Sequence, residues 1–149
     1  MSATLQLAFI RLSGTWAASS ADSSYPVSNL NSPERLYAPW KTAAGGAQSA
    51  VLDFGSAKTV VLLALLRGNF TSATIQGNAT DSWGAPSYSQ AVTLSQNLWN
   101  WRYNVALVPV AFNFRFLRIS IPNQTPVAEY GETALSVYQL GGVFCAGAT

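Results

Sequence analysis

Ala50-Val51-Leu52-Asp53-Phe54-Gly55 and, shortly after it, Thr59-Val60-Val61-Leu62-Leu63-Ala64-Leu65-Leu66 form the stretch on which the fold turns. The second run is continuously apolar. Leu and Ala favour helix, so a buried helix is the rival reading. Gly55 and Gly68 bracket a segment too short for an ordinary helix, and its Val-rich composition suits a strand buried on both faces. The first run ends in a Gly turn and reads as a strand of its own.

Working outward, the pattern stays short and strand-like. Leu5-Gln6-Leu7-Ala8-Phe9-Ile10-Arg11 alternates, with Leu5, Leu7 and Phe9 on one face. Ala17 to Ser24 and Thr42 to Ser49 read as loops. Tyr25-Pro26-Val27 and Ser32-Pro33-Glu34-Arg35-Leu36 suit a short helical turn, with Ser32 as N-cap and Pro33 first inside it. Further strands are predicted at Ser72–Gly77, Tyr88–Leu94, Trp101–Ala106 and Leu135–Leu140. Phe112-Asn113-Phe114-Arg115-Phe116 puts three rings on one face, yet Leu117, Ile119 and Ile121 shift the register. That shift predicts a bulge, or a strand covered on both sides. Arg115 and Arg118 point to opposite faces, and one of them is expected to salt-bridge at the rim. About eight short strands without a strong amphipathic helix make an all-β sandwich.

Composition narrows the function. Charged residues are 9% of the 149, against about a quarter in an average soluble protein. Net charge is +2, and a surface so weakly charged tends to associate. A compact monomer with a Ser/Thr/Asn/Gln-rich coat is the plain alternative. The eight Lys and Arg are scattered, without the stripe that nucleic acid requires. No apolar run is long enough to span a bilayer, and no secretory signal is legible at Met1–Leu7. The expectation is a chain with no nucleic-acid or membrane partner.

Catalysis is hard to build here. There is no His and one Cys, Cys145, which removes Ser-His and Cys-His nucleophiles and the usual zinc ligand sets. Cys145 reads as a buried, inert thiol. Glu129 and Glu132 read as a solvated or assembly-facing pair. The expectation is no enzyme, no cofactor and no metal, with a calcium ion held by Asp22, Asn29 or Asp53 as the minor alternative. Trp83, Tyr88, Trp99, Trp101 and Tyr103 fall in or beside loops, where rings stack on sugars, anchor interfaces or cap the core. Arg67, Asn69, Trp83 and Trp99 are the candidate ligand-binding residues.

The order of these segments resembles the galactose-binding-like, or discoidin-type, β-sandwich. Asn29-Leu30 and Arg35 through Trp40-Lys41-Thr42 resemble its early loop. Ala50 to Gly55 resembles its apolar-Asp-apolar-Gly strand, and Val60 to Leu66 its next core strand. Arg67-Gly68-Asn69 resembles the binding-side loop, Phe114 to Ile119 the late aromatic-Arg strand, and Tyr138 to Phe144 the closing strand. The resemblance implies an eight-stranded jelly roll over residues 25–147, within a single domain of 1–149 whose first 24 residues form an assembly-facing strand and loop. Extracellular members commonly carry a disulfide that one Cys cannot make. Cys-poor domains of this kind resemble those of tailed bacteriophages. The resulting expectation is a non-enzymatic virion component, of the tail, baseplate or a decoration layer. It would be assembled in the host cytoplasm and bound to other virion proteins and to copies of itself. The alternative is a carbohydrate-binding module that attaches to a cell-surface glycan.

Overall fold

The computed structural model describes residues 9–35, 37–95, 104–128 and 135–148. Among the described residues there are eight strands, all antiparallel to their neighbours: β1 Phe9–Leu12, β2 Thr15–Ala18, β3 Trp40–Lys41, β4 Gln48–Gly68, β5 Ser72–Asn78, β6 Tyr88–Thr93, β7 Val105–Ile121 and β8 Gln139–Ala148. The decisive stretch is thus one strand, where two were expected.

β4 serves two sheets. Its first half, through Asp53, lies between β2 and the Phe116–Ile121 half of β7. Its second half, from Leu62, lies between β8 and the Val105–Pro109 half of β7. The first sheet therefore runs β2, β4, β7, β5, β6, and the second runs β1, β8, β4, β7, with β3 also paired to β8. Gly68 ends β4 only four residues before Ser72 opens β5. Both ends of the β4–β7 ribbon therefore come back to one end of the molecule, here the loop end. The ribbon arches from sheet to sheet at the other.

The arch explains the register shift in β7. Phe112 and Leu117 are both buried, although five residues apart. Pairing breaks between Asp53 and Lys58, where β4 carries extra residues. A bulge of this kind bends the strand and resets which side chains face inward. The core lies between the sheets, with Leu52, Ile75, Leu117 and Ile119 from one meeting Leu63, Leu65, Val108 and Val143 from the other. Gly77 is required where the sheets touch, because a Cβ there would collide with the Phe112 and Phe114 rings.

Other expectations land differently. Thr15–Ala18 is strand, partly within the expected loop: Trp16 is buried opposite Leu52. The helical turn is a 3-10 segment at Val27–Asn31, and Ser32 closes it instead of opening it. The N-terminal strand is present over Phe9–Leu12, and Leu5 and Leu7 lie outside the described residues. Cys145 is buried, and burial pushes its thiol up to about 12. Of the two arginines on β7, Arg115 is the one that salt-bridges among the described residues, to Asp53.

The buried-on-both-faces reading of residues 59–66 has a specific outcome. One face enters the core. The other carries Leu62, Ala64 and Leu66, paired in register with Pro109, Leu107 and Val105 of β7. Leu107 is 66% and Val105 41% exposed.

Candidate functional site

The candidate residues divide between opposite ends of the sandwich. Arg67 and Asn69 lie at the loop end, where β4 stops. Arg67 takes a left-handed backbone, φ 59°, which few non-glycine residues adopt. Its side chain packs over Gly141, where a Cβ would overlap the guanidinium. Nη2 donates to the carbonyl oxygens of Pro33 at 2.7 Å and Gly141 at 2.8 Å. Nε is buried without a hydrogen-bond partner, and desolvation lowers the Arg67 pKa. The cation thus ties β8 to the 33–35 turn.

Asn69 is fully buried. Its Nδ2 donates to Val137 O at 3.1 Å, and its Oδ1 accepts from Gln139 N at 2.6 Å. Its main chain also accepts from Val127 N. The side chain presents nothing to solvent and ties the end of β4 to the 137–139 segment, while the main chain adds Val127. The same end exposes Tyr37, 81% accessible, and Tyr25, with Lys41 Nζ 5.7 Å from its ring centre. Trp99, Trp101, Tyr103, Glu129 and Glu132 lie outside the described residues.

Trp83 is at the arch end, in the β5–β6 loop, and it is half-buried. Asp81 Oδ1 accepts its indole N–H at 2.6 Å, which fixes the ring. Asn78 secures the same loop by donating from Nδ2 to Ser82 O at 2.7 Å and accepting from Ser87 Oγ. The Arg118 guanidinium lies 5.5 Å from the indole centre, close enough for a cation–π attraction. Arg118 comes from β7, opposite Gln76 of β5 and Val51 of β4. These side chains stand on the outer face of the first sheet, since Leu117 and Ile119 beside Arg118 are buried in the core. Arg118 Nη1 reaches Gln76 Oε1 at 3.5 Å, and its Nε is buried and unbonded.

The next row of that face is saturated by charge pairing, because at the register shift Arg115 turns to Asp53 and so shares a face with Arg118, where alternation predicted opposite faces. Arg115 donates Nε and Nη2 to the two Asp53 oxygens, each at 2.8 Å, and lies over the Phe116 ring at 4.8 Å. The arginine and the Gly55 N–H hold the Asp53 carboxyl at about 2. Asp22 bonds Ser24 N, and Asn29 bonds Pro39 O. Among the described residues no three His, Cys, Asp or Glu side chains gather as a metal site.

What the arch end offers is an indole held in place, a guanidinium on its face and amides beside it. Rings of this kind cover the apolar C–H face of a sugar, and fixed polar groups read its hydroxyls. The sequence singles out Trp83 as a candidate and gives no sign that Arg118 and Gln76 lie beside it. The alternation of β7 showed that Arg118 faces away from Leu117, but not which loop would fold over it.

No protein-family model and no curated protein matches the sequence. Solved structures do share its fold. Chitosan-binding module 1 from a chitosanase/glucanase of Paenibacillus sp. IK-5 superposes with TM-score 0.63 at 20% identity, covering 91% of this chain and 96% of that one. The fold is a galactose-binding-like β-sandwich. The family 32 carbohydrate-binding module of Clostridium perfringens NanJ, solved with galactose, gives 0.60 at 14% identity, over 89% of this chain and 92% of that one. The paired family 32 modules of Clostridium perfringens ZmpB, solved with GalNAc, give 0.70 at 9% identity, over 95% of this chain and 36% of the longer one. Nothing in these likenesses concerns virions.

Proposed function

We propose that the chain is a non-catalytic carbohydrate-binding module whose ligand lies against the Trp83 face. The observation that carries this reading is the Trp83–Arg118–Gln76 group, an oriented ring with hydrogen-bonding neighbours on a fold shared with solved carbohydrate-binding modules. The mechanism is stacking of a sugar on the indole, with the guanidinium and amide bonding its polar substituents. Arg67 and Asn69 support it indirectly by holding the loop end together.

The test is a glycan array probed with the wild-type chain and with Trp83→Ala. Loss of a buried aromatic anchor costs about 2 kcal/mol or more, so the variant is expected to bind roughly 30-fold more weakly. An array with no hits, or hits untouched by the substitution, refutes the proposal.

A second reading is attachment to neighbouring protein subunits, as in the virion setting expected from sequence. The observation that favours it is the apolar strip of Leu62, Leu66, Val105, Leu107 and Pro109 on the outer face of the second sheet, with Leu107 and Val105 open. Sedimentation then shows concentration-dependent association that Leu107→Lys abolishes. A wild-type monomer at every concentration counts against it.

A further inference from the structure

We infer that the Trp83 face selects an anionic saccharide, bearing a carboxylate or a sulfate ester, with Arg118 as the residue that receives the anion. This rests on the carbohydrate-binding reading and adds the charge of the ligand.

Two arginines stand near this face, and they differ in what already satisfies them. Arg115 is neutralised by Asp53 through a two-point ion pair. Arg118 has no carboxylate within ion-pair distance among the described residues. Its contacts are the Gln76 carbonyl oxygen at 3.5 Å and the Trp83 ring. Asp81, in the same loop as Trp83, is spent on the indole N–H.

A guanidinium offers five N–H donors in a planar fork. One long bond leaves most of them unused, with one donor, Nε, already out of water. The ring and the amide hold the fork in place, so little side-chain entropy is lost when an anion binds. A carboxylate or sulfate can take two parallel N–H bonds and cancel the charge. A neutral hydroxyl leaves that charge uncompensated, and a cationic amino sugar is repelled by it. The preference is therefore opposite to that expected of a module built for chitosan.

The experiment is calorimetric titration of the wild-type chain with four probes: an α-1,4-linked galacturonate tetramer, a sulfated hexose tetramer, a neutral galactose tetramer and chitotriose. The expected result is that a carboxylated or sulfated probe binds about tenfold or more tightly than the neutral one, and that raised salt shrinks the difference. Arg118→Gln is expected to bring the acidic probes down to the neutral level, while Arg118→Lys keeps part of the preference. Equal or tighter binding of the neutral probe or of chitotriose overturns the inference. So does an acidic preference that survives Arg118→Gln in a variant that melts like wild type. In both outcomes a saccharide still binds, so the carbohydrate-binding reading survives. Failure of every probe sinks both. Should Arg118→Gln not fold, the salt dependence of the wild-type chain toward acidic and neutral probes decides alone.

Discussion

Replacing Asn69 with Ala separates a scaffolding role from a ligand-contacting one. The side chain is fully buried, donates to Val137 O and accepts from Gln139 N. Truncation leaves one carbonyl and one N–H unpaired inside the loop end. Each such group costs about 1–3 kcal/mol, so Asn69→Ala is expected to lose about 2–6 kcal/mol. The main-chain bonds to Gln139 and Val127 remain, which limits the loss to the side chain's share. At about 2–4 °C per kcal/mol for a chain of this size, Tm falls by roughly 4–24 °C. Urea denaturation gives the free energy, and glycan titration well below Tm gives affinity. Because Trp83 lies at the opposite end, affinity is expected to stay within about twofold of wild type, as distant sites act independently. A variant as stable as wild type that no longer binds glycan refutes this placement.

Four further outcomes follow from the packing and the charges. Gly77→Ala drives a Cβ into the Phe112 and Phe114 rings and is expected to cost about 1–3 kcal/mol by overpacking. Gly84→Ala, which meets open space, is expected to leave the urea midpoint unchanged. Asp53 is held at about 2 instead of its ordinary 3.8, so its pairing stabilises the fold above about pH 4 and is lost as pH falls from there toward 2. Asp53→Asn is expected to flatten Tm against pH in that window, and an unchanged profile counts against the ion pair. Cys145, buried with its thiol pushed up to about 12, is expected to resist alkylation at pH 8 until denaturant is added; rapid labelling of the native chain contradicts its burial.

Much of the fold was legible because burial writes itself as periodicity. Residues 72–77 and 88–94 alternate and form β5 and β6 as expected. The register shift after Phe116 marked the corner where β7 changes sheets. It did not show that β4 crosses with it as one strand, since Gly55 reads as a stop; only its pairing with β7 carries the chain through. β2 was missed because Thr15, Ala17 and Ala18 are small or polar, and Trp16 alone commits the segment. At the site, Trp83 stood out as a loop aromatic. Arg118 did not, because the contact spans 35 residues of chain and depends on how the β5–β6 loop folds back. Asn69 reads from the sequence as a candidate ligand-binding residue in the Arg67-Gly68-Asn69 loop, and its burial follows from the 137–139 segment passing over it.

The most direct test of the account is a two-dimensional NMR titration of the wild-type chain with a glycan that the array identifies. The account predicts that the Trp83 indole N–H, held by Asp81, shifts on binding together with the amides of Gln76 and Arg118. Shifts confined to Tyr25, Tyr37 and Arg67 at the opposite end, with the Trp83 signal unmoved, would contradict it.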